Sequence, residues 1–333
     1  MGEYRYSGGS MRILITGGAG FIGSNYARLA VGGAFPKMDT ITVLDSLTYA
    51  GNKQNLESLV GKSDFNFVTG DICEPSEVLP LLEDADAVIN FAAESHVDRS
   101  IKSASEFVRT NIAGVQVILD GIKKSGRQIR FLQVSTDEVY GSISEGSWDE
   151  TSPMLPNSPY SASKAGGELL ARSYHRTHGL DVVITRCSNN YGPYHYPEKL
   201  IPLFITNLFE GKKVPVYGSG KNVRDWLHVD DHCRGIYSVL MDGRSGEVYN
   251  IGGGRELTNN EITSLILEAM DADETSIEYV EDRKGHDQRY SVDWTKINRE
   301  LGYEPRVKFE DGLKETIQWY RDNEAWWKPL KNR

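Results

Sequence analysis

Side chains that can move protons occur in two short stretches of this 333-residue chain. Residues 135–141 read STDEVYG, and residues 158–165 read SPYSASKA. They supply a hydroxyl, two carboxylates, a phenol and an ammonium, from Thr136, Asp137, Glu138, Tyr160 and Lys164. If these groups meet at one site, they can combine oxidation of an alcohol with elimination of water.

Tyr160 and Lys164 are four residues apart and follow Pro159, a residue type that suits the first position of a helix. Both side chains would then share one helix face. Because a nearby ammonium favours the phenolate, we expect Lys164 to lower the pKa of Tyr160 from its usual value of about 10. The same spacing also occurs on ordinary surface helices, so its context must decide.

A glycine-rich turn follows the first apolar run of the chain. Residues 11–16 are mostly apolar, and Gly17, Gly20 and Gly23 precede a helical pattern. Glycines let a backbone approach a pyrophosphate at a helix N-terminus, although the pattern also fits an ordinary strand-helix turn. A second predicted strand ends in Asp45, where an acid accepts ribose hydroxyls and repels a 2′-phosphate, so we expect NAD rather than NADP.

Two further predicted strands, residues 65–68 and 86–91, end near the same crevice. Asp71 follows the first and can accept from an adenine amino group or cap a helix, and small residues at 92 and 93 would let a cofactor lie close. A polar cluster then follows and is expected to face the substrate, with a solvated loop as the alternative. It comprises Glu94, Ser95, His96, Asp98 and Arg99.

Strand and helix patterns alternate regularly as far as Asn190 and give way to loops and short helices afterwards. This predicts an α/β protein with a Rossmann-type doubly wound parallel sheet and a smaller mixed α/β substrate-binding domain. The predicted NAD-binding domain comprises residues 11–189 plus about 227–252. The smaller domain comprises about 190–226 plus 253–330, and residues 1–10 form an N-terminal extension.

The net charge of −10 argues against nucleic acid or an anionic membrane surface as a partner. No apolar run approaches transmembrane length, and we expect no signal peptide. The three cysteines, Cys73, Cys187 and Cys233, are widely spaced and form no metal-ligand pattern. We therefore expect a cytoplasmic protein without a metal site.

Five motifs spread over nearly the whole chain resemble those of the extended short-chain dehydrogenase/reductase family and, within it, the dTDP-glucose 4,6-dehydratases. They are DSLTYAG at 45–51, FAAESHVD at 91–98, STDEVYG at 135–141, NNYGP at 189–193 and RKGHD at 283–287. The family usually has proline where this chain has Lys284.

The resemblance implies a carbon–oxygen lyase that converts dTDP-glucose to dTDP-4-keto-6-deoxyglucose and water with tightly bound NAD. It implies that Tyr160 takes the proton of the 4-hydroxyl while Thr136 bonds the same oxygen. Glu138 would then remove the C5 proton, and protonated Asp137 would donate to the departing C6 hydroxyl. A similar 4-epimerase would have small residues in place of this acidic pair.

The resemblance also implies two sets of binding residues. The cofactor set is Gly17, Gly20, Phe21, Ile22, Gly23, Asp45, Leu47, Thr48, Gly51, Asp71, Ile72, Ala92, Ala93, Ser95, Thr110, Tyr160, Lys164 and Asn190. The substrate set is Ser95, His96, Thr136, Asn189, Glu198, Lys199, Leu200, Pro215, Tyr217, Arg224, Asn259, His286, Arg289 and Tyr290.

Helical patterns near residues 103–125 and 159–178 carry apolar stripes, and in the family such a pair joins two subunits, so we expect a homodimer. Two other functions stay open. One is the same reaction on a UDP- or GDP-hexose, although residues 189–191 and 198–199 favour dTDP. The other is a non-catalytic NAD-binding regulator, against which the five proton-moving residues argue.

Overall fold

The computed structural model describes residues 9–331, so residues 1–8 of the predicted N-terminal extension lie outside the described residues. The strands are β1 Met11–Thr16, β2 Met38–Asp45, β3 Phe65–Thr69, β4 Ala87–Asn90, β5 Arg130–Thr136, β6 Val182–Cys187, β7 Asn189–Tyr191, β8 Val214–Tyr217, β9 Val223–His228, β10 Val248–Ile251, β11 Glu256–Thr258 and β12 Ile277–Val280. The α-helices are α1 Phe21–Val31, α2 Pro75–Leu82, α3 Val97–Lys102, α4 Ser105–Val108, α5 Val115–Ser125, α6 Pro159–His178, α7 Leu200–Phe209, α8 Val229–Asp242, α9 Asn259–Ala269, α10 Thr295–Leu301, α11 Phe309–Asp322 and α12 Glu324–Lys331.

Seven strands form one parallel sheet in the order β10-β6-β5-β4-β1-β2-β3. The predicted α/β fold with a doubly wound parallel sheet is therefore confirmed. The strand order reverses between β1 and β4, which is where such sheets bind ligands at the carboxyl ends of their strands. The last strand, β10, returns to the sheet after the chain has left it for β7, β8 and β9.

The sheet is buried on both faces because its strands are apolar at successive positions. Ile13 and Ile15 of β1 pack in one cluster with Ile236 of α8, whereas Leu14 packs in another with Ile118 of α5. Helices α1, α8 and α10 cover the first face, and α2, α5 and α6 cover the second. The two layers hold the strand ends rigidly.

The smaller region has its own sheets and core. Strand β9 pairs with β11 antiparallel and with β7 parallel, and β8 pairs with β12. Its apolar core joins α7, α9 and the C-terminal helices through Phe204, Ile266, Ile317 and Trp327. The residue boundaries between the two domains stay a prediction. In the described part of the chain, no helix is long and apolar enough to cross a membrane.

Helix α6 positions the tyrosine and the lysine. Ser158 caps its N-terminus, accepting from the backbone N–H of Ser161, whose own hydroxyl accepts from the backbone N–H of Ser158. Pro159 is the first helical residue, as its fixed φ favours, and Gly179 ends the helix with φ at 70°. The helix near 103–125 is also present, as α4, a π-helical segment Arg109–Gly114 and α5.

Candidate active site

One large cavity of about 800 Å³ opens at the carboxyl ends of β1, β4, β5 and β6 and extends into the smaller region. The volume suits a dinucleotide or nucleotide-sugar ligand rather than a single small metabolite. Nearly every residue that the sequence singles out lines this cavity. Three of the candidate site residues do not: Arg99, Leu47 and Arg289. The backbone N–H of Leu47 bonds Asp45, and the guanidinium of Arg289 pairs with Glu256 at 2.7 Å.

The glycine-rich turn is shaped for close approach. Gly17 has φ at 69°, and a side chain there would place its Cβ 2.5 Å from the backbone nitrogen of Ala92, where β4 ends. A Cβ at Gly23 would lie 2.5 Å from the carbonyl oxygen of Gly17. No side chain caps α1 at Gly20, so its first-turn N–H groups stay available to an anion.

Asp45 ends β2 and lines the cavity. Its carboxylate accepts from the backbone N–H of Ala19 at 2.9 Å and of Leu47 at 2.8 Å. Burial raises its pKa, and these two bonds offset the change. A carboxylate has about four lone-pair positions, so two remain for ribose hydroxyls. Gly51 covers the carboxylate so closely that a Cβ there would lie 2.6 Å from Oδ1.

Asp71 and the π-helical segment line the same end of the cavity. Asp71 accepts from the backbone N–H of Cys73 at 2.8 Å and pairs with Arg109 at 2.7 Å. The bond to Cys73 stabilises the turn before α2, whose N-cap is Glu74, so Asp71 is not a helix cap and lines the cavity instead. Asn111 exchanges two hydrogen bonds with the backbone of Glu94 and donates to Ser163 of α6. This fixes the loop after β4 against α6.

The acidic pair follows the end of β5. Thr136 Oγ1 accepts from the backbone N–H of Glu138 at 3.3 Å and donates to Asp137 Oδ1 at 3.2 Å. The chain then enters a short 3₁₀ turn, Asp137–Tyr140. Asp137 is 3% exposed, and its Oδ2 has no hydrogen-bond partner within residues 9–331. That oxygen is left for a ligand group.

The two carboxyls differ in their electrostatic surroundings. Burial raises the pKa of Asp137 well above its usual range, and the charges of Glu138 and Asp225 raise it further. Burial also raises the pKa of Glu138, but the cations Arg224 and Lys199 counteract it. Asp137 is thus the carboxyl held neutral, and Glu138 is the one closer to ionisation at neutral pH.

The structure corrects one expectation about Tyr160. Its pKa is raised well above 10, first by burial and then by the charges of Glu138, Cys187 and Asp137. Lys164 does not offset this rise in pKa, and its Nζ donates to the backbone oxygen of Val134 at 2.7 Å. Burial also lowers the pKa of Lys164 to about 8. Thr136 is the neighbour whose hydrogen bond favours the phenolate.

The polar cluster after β4 meets the loop before α7. His96 Nε2 lies 3.3 Å from Glu198 Oε2, and Arg99 lies 3.5 Å from the same oxygen. Burial lowers the pKa of His96 to about 4, so the ring is neutral and Nε2 donates. Lys199 Nζ donates to the backbone oxygen of Ser95 at 3.0 Å. Glu94, Ser95, His96 and Asp98 line the cavity rather than forming a solvated loop, whereas the side chain of Arg99 lies outside the lining and is 47% exposed.

The far end of the cavity is basic and aromatic. Arg224 is 8% exposed, lies 4.3 Å from the ring centroid of Tyr290 and donates to the backbone oxygen of Asp287 at 2.9 Å. Arg283 lies 5.1 Å from the ring centroid of Tyr217 and pairs with Asp98 across the cavity mouth. The remaining predicted residues, Asn189, Asn190, Leu200, Pro215, Asn259 and His286, line the same cavity.

Several cavity-lining residues are absent from the predicted sets. Glu94 is in neither set, although the sequence places it in the polar cluster expected to face the substrate, and Arg283 stands inside a quoted motif. Arg109 and Glu106 come from the helix that continues through the π-helical segment, and Trp326 comes from α12. No local pattern marks these three, because only the tertiary fold brings them to the cavity.

A parallel sheet in this order, with a glycine-rich first turn and an acid after β2, defines the dinucleotide-binding class of α/β enzymes. A family model described as GDP-mannose 4,6 dehydratase matches residues 14–316. The chain belongs to this family.

Three similar proteins indicate which members of the family this chain resembles. The chain is 59% identical to a dTDP-glucose 4,6-dehydratase of Streptomyces niveus, over 97% of this chain and 96% of that protein. It is 58% identical, with a TM-score of 0.95, to DesIV of Streptomyces venezuelae, a dTDP-glucose 4,6-dehydratase solved with NAD and TDP bound; the match covers 96% and 100% of the chains. A UDP-glucose 4-epimerase of Thermotoga maritima has a TM-score of 0.86 at 30% identity, covering 94% and 100%.

Proposed function

We propose that this chain is a dTDP-glucose 4,6-dehydratase, converting dTDP-glucose to dTDP-4-keto-6-deoxyglucose and water as a carbon–oxygen lyase. The observation that carries the proposal is the acidic pair, buried Asp137 and half-buried Glu138, in the same cavity as Tyr160. A 4-epimerase needs no acid for elimination, so this pair separates the two activities. The 59% and 58% identities to dehydratases support the same choice.

The cavity fits NAD. The turn around Gly17 and Gly20, the uncapped N-terminus of α1 and the lone pairs left on Asp45 suit a pyrophosphate and a ribose. Lys164 would hold the second ribose. When bound, NAD supplies a hydride acceptor for C4 and a donor for C6, so it is not consumed and can remain bound.

Tyr160 and Thr136 would act on the C4 hydroxyl. Tyr160 takes the proton and Thr136 bonds the same oxygen, consistent with the effect of Thr136, which lowers the pKa of Tyr160. Since the charge of Asp137 would raise the pKa of Tyr160, keeping Asp137 protonated removes one obstacle to this step.

Glu138 and Asp137 would then divide the elimination. The C4 ketone acidifies the C5 hydrogen, Glu138 removes that proton, and Asp137 gives its own proton to the departing C6 hydroxyl. The difference between the two carboxyls supports this division, since the pKa of Asp137 is raised further than that of Glu138. The unpartnered Oδ2 of Asp137 is available to the leaving group.

We place the nucleotide of the substrate at the basic and aromatic end. Arg224 can take phosphate oxygens, and Lys199 adds a second cation in the cavity. The base can stack on the ring of Tyr217, and Arg283 also contacts that ring. A UDP- or GDP-hexose is the second candidate substrate, and competition of dTDP, UDP and GDP for binding distinguishes the three.

We further propose a homodimer in the cytoplasm. Val108 of α4 and Leu169 of α6 are 51% and 52% exposed, on the two helices expected to form the interface. The free cysteines suit a reducing compartment. Leu169→Asp should yield monomers in light scattering. Leu155→Asp is the control, because Leu155 is an apolar residue outside both helices and is 62% exposed. Wild-type chains that scatter as monomers would exclude the dimer.

The activity test is incubation of the purified chain with dTDP-glucose, with and without added NAD, followed by the alkaline absorbance of a 4-keto-6-deoxy sugar. Product in both samples means that NAD is retained, and product only with added NAD means that it is lost on purification. Turnover of UDP- or GDP-glucose, but not of dTDP-glucose, would mean that the proposed substrate is wrong. If no nucleotide sugar gives product, the remaining hypothesis is the non-catalytic NAD-binding regulator.

A further inference from the structure

The C-terminal helix α12 reaches the glycine-rich turn through one intermediate side chain. Trp326 Nε1 donates to Asn55 Oδ1 at 2.9 Å, and Asn55 Nδ2 donates to the backbone oxygen of Ala19 at 2.9 Å. Trp326 is 8% exposed and Asn55 is 2% exposed, so neither hydrogen bond competes freely with water. The end of the chain thereby contacts the turn that would hold a pyrophosphate.

Both the N–H and the carbonyl oxygen of Ala19 are hydrogen-bonded. Its N–H donates to Asp45 Oδ2, and its carbonyl oxygen also accepts from the backbone N–H of Asn52 at 3.0 Å. The residue stands between Gly17 and Gly20, whose backbones line the cavity. The direction of the N–H groups in this turn therefore depends on how Ala19 is held.

Trp326 helps to fix which way the side-chain amide of Asn55 points. An asparagine amide has nearly the same shape when rotated by half a turn, but the rotated form would set its oxygen against the oxygen of Ala19. The indole N–H of Trp326 is a donor only, so it is compatible with just the orientation that gives Ala19 an N–H. Without the indole, only the contact with the carbonyl oxygen of Ala19 would hold the amide in this orientation.

We propose that Trp326 is a positioning residue for NAD, which acts through Asn55 to hold the glycine-rich turn in its binding conformation. This inference rests on the proposed function, since it takes NAD as the ligand. A second contact between the C-terminal helices and α1 supports this proposal. The hydroxyl of Tyr320 donates to the backbone oxygen of His195, whose ring stacks on Phe21 at 4.1 Å, at the first residue of α1.

The test compares Trp326→Phe with Trp319→Phe in NAD binding by the full-length chain, measured by calorimetry after resident nucleotide is removed. Trp319 packs on Trp326 at 4.9 Å but donates to no group of the turn, so its variant controls for the loss of an indole from the cluster. We expect Trp326→Phe to raise the Kd for NAD about five- to tenfold, as one buried hydrogen bond predicts. Trp319→Phe should bind like wild type.

Thermal unfolding separates positioning from stability. A purely structural role would lower Tm by the same amount with and without NAD, whereas positioning predicts a smaller NAD-induced rise in Tm. Asn55→Asp is the second variant, because it still accepts from Trp326 but has no N–H for Ala19. It should weaken NAD binding similarly, and adding Trp326→Phe to it should cause little further loss.

Wild-type affinity for NAD in Trp326→Phe, or in Asn55→Asp should the tryptophan variant fail to fold, would overturn the inference. Independent, additive effects of the two substitutions would also overturn it. If the wild-type chain itself bound no NAD, the proposed function would fail first and take the inference with it. A wild-type chain that binds NAD and a Trp326 variant that binds equally well would refute the inference alone.

Discussion

Replacing Glu138 by glutamine separates the two halves of the proposed reaction. Glutamine has nearly the same shape, but its amide does not accept a proton at neutral pH. Oxidation at C4 should continue through Tyr160 and Thr136, while loss of water stops. We expect net turnover to fall about 10²- to 10⁴-fold, the usual contribution of a positioned acid or base, which equals about 3 to 5 kcal/mol of activation free energy.

The structure adds a second, less obvious effect of this change. The charge of Glu138 is the largest cause, after burial, of the raised pKa of Tyr160. Removing that charge should lower the pKa of Tyr160, because the phenolate no longer faces it. Oxidation in the Glu138→Gln variant should therefore reach its full rate at a lower pH than in wild type.

The assay is a single turnover with dTDP-glucose over a series of pH values. Absorbance of the reduced nicotinamide follows the oxidation, and alkaline absorbance of the keto sugar follows the product. Asp137→Asn is the matched control: it should also block elimination, but it should leave the pH profile of oxidation unchanged because Asp137 is already neutral. Wild-type product formation by Glu138→Gln would refute the base assignment, and an unmoved pH profile would refute the electrostatic argument.

Two further predictions concern stability. His232 is 0% exposed, and burial lowers its pKa to about 3, so below about pH 6.5 the unfolded chain binds a proton at this residue that the folded chain does not. His232 should therefore lower stability by up to about 1.4 kcal/mol for each unit that the pH falls, and His232→Gln should reduce the pH slope of stability by that amount in urea unfolding at pH 5 to 7, while His96 keeps its own contribution. Equal slopes in both proteins would contradict this. Glu168 and Arg186 form a fully buried ion pair, so Glu168→Gln should lower the free energy of unfolding by about 3 to 5 kcal/mol, measured by thermal unfolding. The double variant Glu168→Gln, Arg186→Met should lose less stability because no unpaired charge remains. A double variant that is less stable than Glu168→Gln would contradict this.

The fold could be predicted from sequence because its signals are local. Apolar runs, the glycines after β1 and Asp45 after β2 each follow from short-range patterns, and parallel strands then bring their carboxyl ends together. The cavity residues contributed by loops near those ends were found for the same reason. Lys199 and Arg224, from the smaller region, were found only through the family resemblance.

What sequence could not supply is the direction of electrostatic effects. Four-residue spacing places Tyr160 and Lys164 on one helix face, but it says nothing of the carbonyl oxygen of Val134 that takes the ammonium. Nor does it show that burial and two carboxylates outweigh any nearby cation at the phenol. Likewise Trp326 is 271 residues from Asn55 in the chain, so only the folded structure can reveal that contact.

The division of roles between Asp137 and Glu138 depends on both regions of the molecule. Adjacent residues in one short turn would have similar pKa values if only the Rossmann sheet surrounded them. The smaller region supplies the cations Lys199 and Arg224, which favour the ionised form of Glu138, whereas Asp225 of β9 favours the neutral form of Asp137. A base and an acid can therefore stand side by side because two cations act on Glu138, whereas the charges of Glu138 and Asp225 both act on Asp137 and outweigh that of Arg224.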